Sequence, residues 1–246
     1  AQVLAEEHGA RGKVVASDDG RTAKQVGQTV ADQAVRDFFV QLGRFCGIYE
    51  LQGQPEHMTR TAVVVRGVDR DGRAIVVKFM NNRGQYLAEV KGREGLDPDF
   101  VVGILATSDD PGPLKVCFAA EAKALGFGPQ GIVMAAAQRN LAVILLQERL
   151  GFAAAVAHAR DYARCLAHMH EKGVVHRDIK PLNVVRCATG DGQQSLVKII
   201  DLDAAAPMDE VLDMQKVASA AYAPPEFQRW CEDPVKFPLA AHGSQD

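Results

Sequence analysis

Eight consecutive residues, His176-Arg177-Asp178-Ile179-Lys180-Pro181-Leu182-Asn183, place a base, a cation and a metal-binding amide in one short loop. Further on, Asp201 offers a second oxygen ligand. A carboxylate and an amide oxygen suit a hard cation such as magnesium, which keeps some of its waters and bridges nucleotide phosphates. Lys78 is the third chemical feature, enclosed in the apolar run Ala74-Ile75-Val76-Val77-Lys78-Phe79-Met80. A buried ammonium without a partner is costly, so this lysine needs an anion nearby. Each feature also has a plainer reading. Arg177, Asp178 and Lys180 could decorate a solvated loop with Asn183 as a turn residue, Lys78 could snorkel to water, and Asp201 or Asp203 could cap the Ala204-Ala205-Ala206 stretch.

The surrounding pattern supplies elements that would position these groups. Phe152 to Lys172 reads as a helix of good formers closed by Gly173. Val174-Val175 begins a short strand before the loop, and Val197 to Ile200 forms another that ends at Asp201. The polar stretch Cys187 to Gln194 between them reads as a hairpin loop. Lys78 lies within a strand, a helix is expected over Gln85 to Leu96, and Gly131 to Met134 is a strand running into Ala135-Ala136-Ala137.

Helix, loop, strand and acidic residue in this order resemble the serine/threonine branch of the protein kinase family. By that resemblance Asp178 orients and accepts the proton of a protein hydroxyl, Lys180 offsets charge on the transferred phosphoryl group, and Asn183 and Asp201 bind magnesium. Lys78 would hold the first two phosphates of ATP and pair with a helix glutamate. Glu89 is preferred over Glu94, because its distance to the Leu96 to Val102 segment matches the family within one residue. Val64 and Val76 would roof the adenine pocket and Val185 floor it. Met134 would set the pocket's depth, with backbone groups of Ala135 to Ala137 contacting adenine. Tyr222-Ala223-Pro224-Pro225-Glu226 is similar to the anchor that ends a kinase activation segment, and Ser219 stands where a hydroxyl contacts the catalytic aspartate and lysine. The implied fold is α+β and two-lobed, with a small antiparallel-sheet lobe and a mainly helical larger lobe that is expected to be incomplete. The implied boundaries are an extension at 1–47, a small lobe and hinge at 48–137, and a partial larger lobe at 138–246. ATP and Mg2+ are the implied cofactors and a protein the implied substrate.

Several positions depart from that pattern. Leu202-Asp203 replaces the usual phenylalanine and glycine. The glycine-rich loop is absent: its positions fall near His57, Thr59 and Ala62, and Gly53 stands alone. The hydroxyls of Thr59 and Thr61 are expected to replace part of its phosphate binding. Ala204 through Ala218 contains no Ser, Thr or Tyr, so Asp209, Glu210 or Asp213 is expected to supply fixed negative charge in place of a phosphate opposite Arg177. These departures keep open a pseudokinase that serves as a binding scaffold. A small-molecule phosphotransferase is a third reading, weakened by the Pro225-Glu226 anchor.

Composition is consistent with a globular intracellular protein. The 246 residues can bury a substantial core, and a net charge of −3 excludes global attraction to nucleic acid or anionic lipid. No apolar run is long enough to cross a bilayer. The five cysteines are widely spaced, unlike a disulfide framework or zinc site, so a reducing, cytoplasmic setting is expected. His168 and His170 point to different helix faces, which disfavours a metal there. From Thr22, apolar residues recur every four positions through Leu42, predicting an amphipathic helix at about 22–43 that docks on the small lobe or on a partner.

Overall fold

A computed structural model describes residues 44–59, 61–124, 128–188, 195–210 and 221–232, with Gln33, Asp37, Gly243 and Asp246. The helix expected at 22–43 lies outside the described residues except for Gln33 and Asp37, where Gln33 Nε2 donates to Asp37 Oδ1 at 2.8 Å. The chain forms two compact units, Ala1–Arg83 with Leu105–Met134, and Gly84–Ile104 with Ala135–Asp246.

The first unit is built on a sheet of six strands: β1 (Arg44–Phe45), β2 (Tyr49–Met58), β3 (Ala62–Val68), β4 (Ala74–Met80), β5 (Ile104–Thr107) and β6 (Gln130–Ala135). Their spatial order is β1-β2-β3-β4-β6-β5, and β1 through β4 pair antiparallel in sequence. The strand period of two sorts the side chains. Val63, Val65, Ile75, Val77 and Phe79 enter the core with Phe45, Phe118 and Val133. Val64 pairs directly with Lys78, so both share the opposite face with Val76. The connection from β5 to β6 carries a helix, Pro113–Ala124, with Pro at its start where the missing N–H costs nothing. Its Phe118 meets Phe45 and Phe79 edge-on, ring centroids 4.8 and 5.4 Å apart, and a Cβ at Gly131 would collide with the Phe118 ring.

One expectation is corrected in this unit. Cys46 and Cys117 form a disulfide, although they are 71 residues apart in sequence. The turn after β1 and the helix Pro113–Ala124 bring their Cα atoms to 5.5 Å, within the range a disulfide needs. Spacing alone could not show this.

In the second unit, helix Phe152–Glu171 ends at Lys172, and Gly173 follows at φ 71°, the left-handed cap that glycine takes cheaply. Its Cys165 and Met169 pack with Val101, Ile199, Leu202 and Ala205. Strands β9 (Val184–Ala188) and β10 (Ser195–Ile199) form an antiparallel hairpin, joined on the β9 side by β7 (Arg139–Asn140). Strand β8 (Val174–Val175) pairs with β11 (Ala206–Pro207). The segment before β5 is stitched to β10: Val102 N–H donates to Ile199 O at 3.0 Å and Ile199 N–H to Phe100 O at 2.9 Å.

The helix expected to reach Leu96 spans only Arg83–Lys91. Beyond it the amides of Arg93, Glu94 and Leu96 bond three residues back, a tightened ending, and Gly95 takes φ 75°. Gly92 has a packing reason. A Cβ there would sit 3.3 Å from the Cβ atoms of both Leu202 and Ala205, so glycine lets the helix end approach the segment after Asp201.

Candidate active site

The loop His176–Asn183 is fixed from several sides within the second unit. His176 is buried, its Nδ1 accepts from the Asp178 amide at 3.2 Å, and its Nε2 faces Ile200 O at 2.9 Å. A carbonyl can only accept, so the ring proton sits on Nε2. Asn183 O accepts from the Ile200 amide at 3.0 Å, tying the loop to the residue before Asp201 a second time. Arg177 takes φ 70° and is buried, its Nη1 donating to Ala204 O at 3.3 Å. Burial pushes its guanidinium pKa down, while the charges of Glu210 and Asp246 act to raise it. Asp213 lies outside the described residues, and Asp209 takes φ 66°.

Asp178 faces two side chains. Lys180 Nζ donates to its Oδ2 at 2.6 Å, and Asn183 Nδ2 donates to Oδ2 at 3.2 Å and to the Asp178 carbonyl at 2.8 Å. The lysine and asparagine thereby hold the carboxylate in one orientation, its charge held by hydrogen bonds. The asparagine's nitrogen is committed to Asp178, which turns its amide oxygen into the atom a cation can take.

Asp201 adopts a left-handed conformation, φ 68° and ψ 65°, and makes no side-chain cap to the short helix Leu202–Ala204 that follows. Capping therefore does not account for it. Ligand atoms of Glu89, Asp201 and Asp203 lie within 4.8 Å of one another. Three carboxylates this close form a hard oxygen cluster, the kind that suits Mg2+. Leu202 is fully buried, as an apolar residue at that position requires.

Glu89 is fully buried on helix Arg83–Lys91, whereas Glu94 lies beyond the helix end and is exposed. Arg93, one turn on, was not foreseen. Its Nη1 lies 2.9 Å from Glu89 Oε1 and donates to Glu89 O at 2.7 Å, and its Nε donates to Val102 O at 2.9 Å. The pair is nearly dry, with side chains 5% and 0% exposed. An acid followed four residues later by an arginine was the signal in the sequence.

Asp246 was also unforeseen. Its carboxylate, 0% exposed, accepts from the amides of His176 at 2.8 Å and Arg177 at 2.7 Å and contacts His170 Nε2 at 3.0 Å. It also adds to burial in pushing the Tyr162 hydroxyl pKa up. His168 turns elsewhere, accepting from the Asp97 amide at 2.9 Å.

The remaining expected residues are distributed over both units. In the first, Lys78 is buried on β4, Val64 and Val76 flank it on the same face half-buried, and Met134 is buried on β6. In the second, Val185 is buried on β9, with Ala135 exposed and Ala137 half-buried. Ser219 lies outside the described residues. Where the glycine loop would be, β2 and β3 form a hairpin whose tip is closed by Thr59. Its Oγ1 accepts from the amides of Ala62 at 3.0 Å and Thr61 at 3.3 Å, and its amide donates to Ala62 O at 2.8 Å. The Thr59 hydroxyl is thus engaged within its own turn.

The family model for the protein kinase domain matches residues 60–232. Among curated proteins, the chain is similar to "Serine/threonine-protein kinase PKZ1" of Phytophthora infestans, 33% identical over 81 residues, which is 28% of this chain and 20% of that protein. The protein of the same name from strain T30-4 matches equally. The chain thus spans about a fifth of the length of the curated relatives it matches.

Proposed function

Because the chain belongs to the protein kinase family and has its α+β fold, we propose that it is an ATP-dependent serine/threonine kinase acting on a protein hydroxyl. The observation that carries this reading is the Asp178 carboxylate, aimed by Lys180 at 2.6 Å and Asn183 at 3.2 Å on a loop anchored at both ends. A carboxylate so placed orients an acceptor hydroxyl and takes its proton as the phosphoryl group arrives. Lys180 stands where charge grows on that group. Asn183 and Asp201 would hold magnesium, which when bound with ATP draws negative charge off the phosphates. Lys78 positions the phosphates and Glu89 is its partner on this reading. Val64, Val76, Val185, Met134 and the backbone of Ala135 to Ala137 line the adenine site, and Ser219 supports Asp178. Residues 48–137 form the small lobe with its hinge, 138–246 belong to the larger one, and the helix at 22–43 is a docking element.

One observation favours a second reading, a pseudokinase scaffold. The Thr59 turn closes the hairpin tip with its own hydrogen bonds and no glycines, which removes amide donors from the phosphates. Phosphoryl transfer from γ-labelled ATP to a generic protein substrate decides between them. The kinase reading expects transfer that falls by about 10²–10⁴-fold in Asp178→Asn, with nucleotide binding retained. No transfer by a folded, nucleotide-binding chain favours the scaffold.

A further inference from the structure

Residues Cys46 and Gly47, at φ 56° and 62°, form the tip of a tight hairpin in which Ile48 N–H donates to Phe45 O at 3.1 Å. Two positive φ values define a type I′ turn, whose first position suits Asn, Asp or Gly. A cysteine there sets its Cβ against the backbone at a cost of about 1 kcal/mol, so its presence calls for a compensating role. That role is the bond to Cys117 on helix Pro113–Ala124. If the disulfide opened, the turn after β1 and the helix would still hold the two Cα atoms 5.5 Å apart, leaving the sulfurs neighbours.

Access separates this pair from Cys165 and Cys187. Cys46 and Cys117 are both partly exposed, whereas Cys165 and Cys187 are buried in the second unit. Exposed disulfides on strained backbone are the labile ones. We propose that Cys46 and Cys117 are a reversible redox modification site, exchanging with low-molecular-weight disulfides of the glutathione class and clipping helix Pro113–Ala124 to the sheet. In oxidation, one protein thiolate attacks glutathione disulfide and expels a glutathione thiolate. The other protein thiolate then attacks the protein sulfur of the mixed disulfide and expels a second. Two electrons leave the cysteine pair, and its two protons end on two glutathione thiols. The clipped helix carries Phe118, which packs on Phe79 of β4, the neighbour of Lys78. The redox state therefore acts on the strand that bears the buried lysine.

The test equilibrates the chain in glutathione buffers of graded ratio, traps free thiols by alkylation, and locates them by peptide mass spectrometry. Cys46 and Cys117 are expected to become protected together as oxidised glutathione rises and to open together in excess reduced glutathione. The reduced chain is expected to melt lower, by about 10 °C given the length of loop that the bond closes. Cys46→Asn, which the turn accepts, is expected to melt at one temperature across all ratios. Alkylation of both cysteines in excess oxidised glutathione would sink the proposal. A bond that survives excess reduced glutathione, or a melting shift that persists in Cys46→Asn, overturns its reversibility or its location.

Discussion

The catalytic loop and the β2–β3 hairpin tip are the two places where a phosphoryl-transfer site needs backbone precision, and they achieve it differently. Around His176–Asn183 the loop is pinned by residues far away in sequence, since Ile200, Ala204 and Asp246 all reach back to it, while Asp178, Lys180 and Asn183 bond among themselves. At the hairpin tip the bonds are local, among Thr59, Thr61 and Ala62. A region tied by long-range bonds has one geometry as long as the unit is folded, whereas a local turn can be altered without disturbing anything else. The loop therefore keeps the family's residues while the hairpin has lost its glycines.

The largest effect is expected at a pair that is local yet dry, Glu89 with Arg93. Arg93→Leu leaves a dry carboxylate without the cation four residues on, an expected cost of about 3–5 kcal/mol, read in denaturant unfolding. Arg93→Lys should recover part of it, because the ion pair survives while the bond to Val102 O is lost. If Arg93→Leu were neutral, the buried pair that closes helix Arg83–Lys91 would be incidental.

A comparable effect is expected at Asp246. Its removal in Asp246→Ala strips acceptors from the His176 and Arg177 amides, at about 1–3 kcal/mol for each buried donor left unsatisfied. Amide exchange at those two residues should then quicken about tenfold or more, while exchange in β3 and β4 stays as it was. Uniform acceleration throughout the chain would mean that Asp246 supports the fold at large rather than the loop.

The same contrast explains what could be seen in the sequence. Strand β4, the helix before Gly173 and the eight-residue loop are legible because each is a local pattern: alternation around Lys78, a run of helix formers with a left-handed stop, and a fixed spacing from Asp178 to Asn183. Arg93, Asp246 and the Cys46–Cys117 bond are not. Arg93 looks like one more solvated arginine until Val102 and Glu89 close over it, and Asp246 looks like a polar residue until three partners from distant helix and loop reach it. Local propensity registers Gly92 only as a poor helix former, whereas its packing value lies in the approach of Leu202 and Ala205.

The hairpin tip gives the smallest effect and the sharpest division between the two regions. Thr59→Val keeps the β-branched shape and deletes the oxygen that accepts from Ala62 and Thr61. Because the turn is partly exposed, water can satisfy the freed amides, so the loss should be only about 1 kcal/mol in thermal melting. Since the hydroxyl is turned into its own loop, the Kd for Mg–ATP, measured by calorimetry, should stay within about twofold, far below the tenfold that 1.4 kcal/mol of lost contact would produce. A tenfold weakening would place the Thr59 hydroxyl on the phosphates and erase the contrast, leaving the hairpin a substitute for the glycine loop instead of a local turn that merely stands in its place.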